Sequence, residues 1–140
     1  MIRVGIFLVF VFFLSSCERR QQFIAEGEYT DTDSSIYHWK EYMHQDSFFR
    51  EVTSNGKIVS IGKSKTQQEF RDSTFSETDF YTNGKQKATR TFVSGSQEGV
   101  WKSWYEDGKT KSASVVDAGV LRDYLSYYDD GSIAVTASKA

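Results

Sequence analysis

A short motif recurs three times along the second half of this chain at nearly constant spacing. It has two aromatic residues, a variable residue, Asn or Asp, and Gly, and it occupies residues 80–84, 104–108 and 127–131. Successive glycines of the motif are separated by 24 and then 23 residues. A fixed period in this range is typical of proteins that stack copies of one supersecondary unit. The period therefore constrains the fold to a repeat architecture.

The glycines of the motif are predicted to lie in hairpin turns. Asn-Gly and Asp-Gly pairs supply the positive φ angles that such turns need, and a fourth pair occurs earlier in the chain. The predicted structural turns are those at Gly56, Gly84, Gly108 and Gly131. The intervening segments are rich in aromatic and β-branched residues, the chain has no proline, and no helical apolar period follows residue 26. We therefore predict an all-β fold, an antiparallel meander of β-hairpins.

Turn positions and composition together predict short strands along the whole domain. They are expected at 26–30, 36–43, 47–53, 57–64, 66–71, 74–81, 85–92, 100–105, 109–116, 121–128 and 133–137. Side chains alternate between the two faces of a strand, so the motif yields two rows of aromatic residues. We expect Trp104 and Tyr127 to lie toward the core, in a row that also contains Phe80, Leu125 and Val100. The more amphipathic row is predicted to form a partly exposed partner-binding face, because Tyr and Trp bind well and tolerate water. The residues of that face are Tyr81, Trp101, Tyr105, Tyr124 and Tyr128.

Residues 99–109 read Gly-Val-Trp-Lys-Ser-Trp-Tyr-Glu-Asp-Gly-Lys and resemble the MORN-variant repeat, whose core is Gly-x-Trp-x-x-aromatic-Tyr-x-x-Gly-Lys. The match is fair at 80–85 and degraded at 120–132, where Arg122 stands for the first Gly and Tyr124 for the Trp. This repeat is found in YwqK-type antitoxin-like proteins and in envelope lipoproteins. The resemblance implies an elongated meander of hairpins and no established enzymatic reaction.

The first 17 residues resemble a bacterial lipoprotein signal peptide. A short positive region is followed by the uncharged residues 4–14 and then by Leu14-Ser15-Ser16-Cys17, which contains the only cysteine. The apolar run suits a signal peptide and is too short to cross a bilayer. The resemblance implies cleavage before Cys17 and a lipid on its sulfur; the alternative is an ordinary secretory signal with an incidental cysteine.

These features divide the chain into four parts. Residues 1–16 are expected to be the cleaved signal peptide and 17–25 the lipidated cysteine with its tether. Residues 26–76 are expected to form divergent hairpins, and 77–137 the MORN-variant-like repeats. With Cys17 lipidated, no disulfide or cysteine-based metal site can form within one chain. Glu18 is not the aspartate that signals inner-membrane retention in some bacteria, which favours the outer membrane.

The charge balance argues against a nucleic-acid partner. The formal net charge is −2, and it becomes −3 when Arg3 leaves with the signal peptide. Nucleic-acid binders instead carry clustered positive charge. The partners expected are the membrane, through the lipid on Cys17, and an unidentified protein.

No catalytic residue, metal site or cofactor is predicted. His38 and His44 would share one face of a strand, but six residues of strand separate them by about 20 Å, too far for one metal ion. The sequence holds no Gly-x-Ser-x-Gly motif and no glycine-rich phosphate loop.

The sequence therefore predicts a non-catalytic, membrane-anchored envelope module that binds or scaffolds a protein or an envelope glycan. Two alternatives stay open. One is an immunity or antitoxin-like protein that neutralises a toxin, as the family resemblance suggests. The other is a small envelope hydrolase that uses the two histidines and nearby carboxylates.

Overall fold

The computed structural model describes residues 21–32 and 34–139, and within them eleven strands form one antiparallel sheet with one short helix. Sheet order follows chain order, with the two-residue β7 beside β6 and off the main path. The all-β hairpin meander is therefore confirmed, whereas Cys17 and the predicted signal peptide lie outside the described residues. The elements are β1 Gln22–Thr30, β2 Ile36–His44, β3 Ser47–Ser54, β4 Lys57–Ser64, α1 Gln67–Arg71, β5 Phe75–Phe80, β6 Gln86–Val93, β7 Ser96–Gln97, β8 Gly99–Trp104, β9 Thr110–Asp117, β10 Val120–Tyr127 and β11 Ile133–Ser138.

The strand predicted at 66–71 is wrong, because this segment forms α1. Thr66 caps the helix: its Oγ1 accepts from the Glu69 backbone N–H at 3.1 Å. The Glu69 carboxylate in turn accepts from the Thr66 backbone N–H at 3.3 Å. This reciprocal pattern is the capping box, and its Thr-x-x-Glu signature is present in the sequence.

The short helix covers one face of the sheet through Phe70. A Cβ at Gly62 would lie 2.5 Å from the Phe70 ring, so the glycine on β4 makes room for it. Phe48 packs against the same ring with a centroid separation of 5.3 Å and is 0% exposed. The most deeply buried side chain of the described residues therefore lies beneath α1.

The rest of the sheet is a single layer with two accessible faces. Trp104 and Tyr127 are half-buried and Val100 is 53% exposed, so the row predicted to lie in the core is only partly buried. The physical reason is that the described chain supplies no second layer to cover that face. The opposite face instead carries an aromatic ladder, with neighbouring ring centroids 4.6–5.4 Å apart. The ladder consists of Phe48, Phe70, Phe75, Phe92 and Trp101.

The three repeat motifs form the same turn. In each, the Gly N–H donates to the carbonyl of the motif's Tyr at 2.9–3.0 Å, and the Asn or Asp side chain accepts from the backbone N–H two residues later. All four expected turn glycines have positive φ: +72° at Gly56, +82° at Gly84, +97° at Gly108 and +88° at Gly131.

Successive repeats are joined by an inter-repeat clamp, in which the Tyr of one motif and the Lys that follows its Gly donate to backbone carbonyls of the next motif. Tyr81 Oη donates to Trp104 O at 2.8 Å, and Tyr105 Oη to Tyr127 O at 2.7 Å. The lysines repeat the arrangement: Lys85 Nζ lies 3.0 Å from Asp107 O, and Lys109 Nζ lies 2.7 Å from Asp129 O. The repeats are thus similar in the contacts that join them as well as in their turns.

Gly108→Val is expected to lower the free energy of unfolding by more than about 1 kcal/mol, the scale of strain for a β-branched residue at positive φ. No atom lies within 4 Å of the place a Cβ would take, so the effect comes from backbone strain alone. Urea melts of residues 18–140 measure it. Gly108→Asn is the control and should lose less, because Asn tolerates the left-handed region. An unchanged midpoint for the Val variant would contradict the assignment.

Candidate functional site

A cleft of about 670 Å³ opens on the helix-covered face, and we call it the helix-side cleft. Its walls come from β1, β2, β3, β5 and the α1 region, and they combine aromatic rings with charged groups. Trp39 is held in place because its ring lies across Gly27, where a Cβ would meet the indole at 2.7 Å. The lining residues are Glu28, Tyr29, Trp39, Arg50, Val52, Phe70, Arg71, Ser73, Phe75 and Glu77.

A second cleft, of about 630 Å³, continues the first toward the hairpin turns. The two share Tyr29, Val52 and Glu77 in their linings. Lys57 and Lys87 line the far end of the second cleft. Together the two clefts form one trough across strands β1 to β6, and this trough is the candidate site.

An ion pair between a buried glutamate and a half-buried arginine lies beside the helix-side cleft, and the arginine lines the cleft. Glu41 on β2 is buried, and its Oε1 accepts from Arg50 Nε at 2.9 Å and from Arg50 Nη2. Its Oε2 accepts from Gln67 Nε2 of α1 at 3.1 Å. The Arg50 guanidinium lies 4.7 Å from the Phe70 ring centroid and 5.5 Å from that of Trp39. The pair therefore ties the helix to the sheet and fixes Arg50 between two rings.

A second charged cluster lies on the same face, around Arg90 of β6. Its Nη2 binds Glu77 Oε2 at 3.1 Å and also Asp79 Oδ2. Ser60 Oγ donates to Glu77 Oε1 at 3.0 Å. Among the described residues the buried Arg90 Nε has no hydrogen-bond partner. The two carboxylates thus share one guanidinium, which neutralises part of their charge and holds them in place.

Tyr29 and Arg71 offer groups at the mouth of the trough. Tyr29 is exposed and stacks on Tyr37, with ring centroids 5.2 Å apart and planes 12° apart. Partial burial raises the pKa of the Tyr29 hydroxyl, with smaller contributions from Tyr37 and nearby carboxylates. Arg71 is exposed and makes no ion pair or hydrogen bond with the described residues. Its guanidinium is therefore available to a ligand.

The predicted partner-binding face is only partly available for binding. Tyr81 and Tyr105 are half-buried, and their hydroxyls are engaged in the inter-repeat clamp. Trp101 is half-buried at the end of the aromatic ladder, and its Nε1 donates to Thr91 O at 3.2 Å. Tyr124 is half-buried and Tyr128 is exposed. Three of the five side chains thus have their polar groups engaged in holding the sheet together.

The two histidines lie on one strand, β2, as the sequence suggested, and on the face opposite the trough. His38 Nδ1 lies 3.7 Å from Glu28 Oε2, while His44 Nδ1 is buried without a hydrogen-bond partner in the described chain. No group of three His, Cys, Asp or Glu side chains suited to a metal ion occurs within 21–32 and 34–139. Over the same ranges no helix has the length and apolar character to span a membrane.

Comparisons with protein-family models, with curated proteins and with solved structures find no match for this chain.

The sequence reasoning did not identify the trough. Its residues are spread from β1 to β6 and meet only through strand register and the docking of α1. The sequence does contain one signal of the helix, the Thr66-x-x-Glu69 capping box, which predicts that Phe70 and Arg71 lie on a helix.

Proposed function

We propose that this protein is a lipid-anchored, non-catalytic binding module of the bacterial cell envelope, of the MORN-variant repeat type, and that it takes a protein partner in the trough. The observation that carries the proposal is the lining of the helix-side cleft by Tyr29, Trp39 and Arg71. Tyr, Trp and Arg are the residue types that most often dominate the energy of protein–protein contacts. The unpaired guanidinium of Arg71 would provide the charged anchor, and the rings the apolar area.

The composition of the trough favours a protein partner over a glycan. Its cations, Arg71 and Lys57, and its anions, Glu77 and Asp79, would match a surface that carries both signs of charge. Charge complementarity of this kind sets specificity and association rate in protein complexes. The Glu41–Arg50 pair supports the site because it keeps the cleft wall in one arrangement.

Capture from detergent-solubilised envelopes tests the site. The mature protein is the bait, and Trp39→Ala and Arg71→Glu are compared with Lys102→Glu, which changes an exposed lysine on the other face of the sheet. A partner retained by wild type and by the Lys102 variant, but lost by both trough variants, supports the proposal. Equal capture by all four proteins contradicts it.

A parallel sedimentation assay with purified cell-wall sacculi distinguishes a glycan from a protein. Binding to sacculi that disappears in Arg71→Glu would assign the trough to a glycan instead. If the mature protein stays in the supernatant, the trough remains assigned to a protein partner.

Cys17→Ser is expected to release the protein from membranes, because the lipid on Cys17 is the anchor in this proposal. Two or three acyl chains hold a protein stably, whereas one holds it only marginally. Cell fractionation and labelling with a fatty-acid probe measure the effect. Sedimentation of the Ser variant with membranes, together with unlabelled wild type, would show that the anchor lies elsewhere.

The immunity or antitoxin-like alternative is the same proposal with a toxin as the protein partner. It would be favoured if the captured partner is toxic to cells and the trough variants fail to protect against it. The hydrolase alternative has less support from the geometry, because Glu77 and Asp79 both bind Arg90. Both carboxylates are thus engaged by one guanidinium, and His38 and His44 lie on the opposite face of the sheet.

A further inference from the structure

The last strand of the sheet, β11, leaves an edge without protective charge. Its sequence is Ile-Ala-Val-Thr-Ala-Ser, and Ile133 and Val135 are 63% and 50% exposed. Edge strands of natural sheets usually carry charges, proline or a cover that prevents further pairing. Within the described chain, β11 has a strand neighbour on one side only, β10.

The opposite edge of the sheet, β1, is different. It carries Glu26 and Glu28, both exposed, in the middle of the strand. Two copies of β1 placed side by side would bring these carboxylates together, and like charges at cross-strand positions destabilise pairing. Of the two edges that the described residues form, the β11 edge is therefore the one suited to pair with itself.

The free backbone groups of β11 can be identified from its pairing with β10. The Lys139 backbone N–H donates to Arg122 O at 2.7 Å, so Lys139 points its backbone groups toward β10. Direction alternates along a strand, and the register with β10 is unbroken from Val135 to Ser138. Thr136 and Ser138 therefore point their N–H and C=O groups outward.

We propose that β11 of one copy pairs antiparallel with β11 of a second copy, about a two-fold axis at Thr136. In this register Thr136 lies opposite Thr136 of the second copy, and Ser138 lies opposite its Ala134. Val135 lies beside Ala137 of the second copy, on the same face as in each parent sheet. The two sheets join into one, and the unprotected edge is removed.

Charge complementarity supports a second copy as the occupant. Because the strands run antiparallel, Lys139 at the end of one β11 lies beside the turn that precedes the other, which contains Asp129 and Asp130. Hydrogen bonds from the Ser132 side chain and backbone lower the pKa of Asp130, so this turn is negatively charged at neutral pH. The arrangement occurs twice in the dimer, once at each end of the paired strands.

Cross-linking in membranes tests the pairing on the full chain. Thr136→Cys places a thiol at the two-fold axis, and a short bismaleimide should link two copies into a covalent dimer. Glu26→Cys, on the β1 edge, is the matched control, and wild type reports any reaction of Cys17. A dimer that forms with Thr136→Cys and not with the other two is expected. No dimer, or as much dimer from Glu26→Cys, overturns the proposal.

A second pair of variants keeps the test independent of added thiols. Thr136→Pro removes the outward N–H and leaves the bonds to β10 intact, whereas Thr136→Val keeps that N–H. Light scattering of the detergent-solubilised protein should show that Thr136→Pro raises the dimer dissociation constant about tenfold or more, because two hydrogen bonds are lost across the axis. Thr136→Val should remain as dimeric as wild type. A monomeric wild type, or equal dimerisation of both variants, would show that β11 does not pair with itself.

Discussion

Phe48→Ala is expected to lower the free energy of unfolding by about 3–5 kcal/mol, the range for truncating a buried Phe in a packed core. Phe48 is the most deeply buried large side chain of the described residues and lies directly beneath Phe70 of α1. Its loss would leave a cavity where the aromatic ladder meets the helix. Few other side chains of the described residues are buried, so this loss would be a large fraction of the domain's free energy of unfolding.

Urea melts monitored by circular dichroism measure the effect on residues 18–140. Phe23→Ala is the matched control, because Phe23 is exposed on the edge strand β1 and should lose less than about 1 kcal/mol. A Phe48 variant as stable as the Phe23 variant would mean that the core does not lie beneath α1.

Glu41→Ala is expected to lower the free energy of unfolding by about 3 kcal/mol, the lower end of the range for removing one partner of a buried ion pair. The substitution leaves the Arg50 guanidinium without its carboxylate, and it also removes the acceptor for Gln67 of α1. The lower end applies because the Arg50 side chain is 39% exposed and retains part of its hydration.

Two further variants separate charge from packing at this site. Glu41→Gln keeps the shape and one carbonyl acceptor, so its loss should be smaller than that of the Ala variant. The double variant Glu41→Ala/Arg50→Ala should lose less than the sum of the two single variants, because the unpaired charge is then absent. Additive losses would show that the two side chains do not interact in solution.

The regular part of the fold could be predicted from local sequence. Asn-Gly and Asp-Gly pairs mark the turns along one end of the strands, and the residues between them alternate as strands do. The turns at the opposite end were harder to recognise, because they are built from Gln45-Asp46, Ser94-Gly95 and Ala118-Gly119. All six of these residues have positive φ, yet only some of the pairs contain glycine. The strand β7 was missed for a related reason, since two residues are too short to show alternation.

The trough could not be predicted from local sequence, because it depends on which strands face each other. Glu41 meets Arg50 only in the register that β2 and β3 adopt, and a shift of one residue would place them on opposite faces. Gly62 gives no sign in the sequence that an aromatic ring will cover it. The sequence also could not show which aromatic row is exposed and which lies in the core. That prediction assumed a second layer, which the described chain does not supply.

The inter-repeat clamp has a consequence for how such a chain can change in length during evolution. Its donors are the Tyr of one motif and the Lys that follows it, but its acceptors are main-chain carbonyls, which every residue possesses. A duplicated stretch of 23–24 residues would thus bring its own donors and find acceptors in any neighbour, whatever side chains that neighbour carries. Copies could be gained or lost without a matching substitution elsewhere, and side chains facing solvent would be free to diverge.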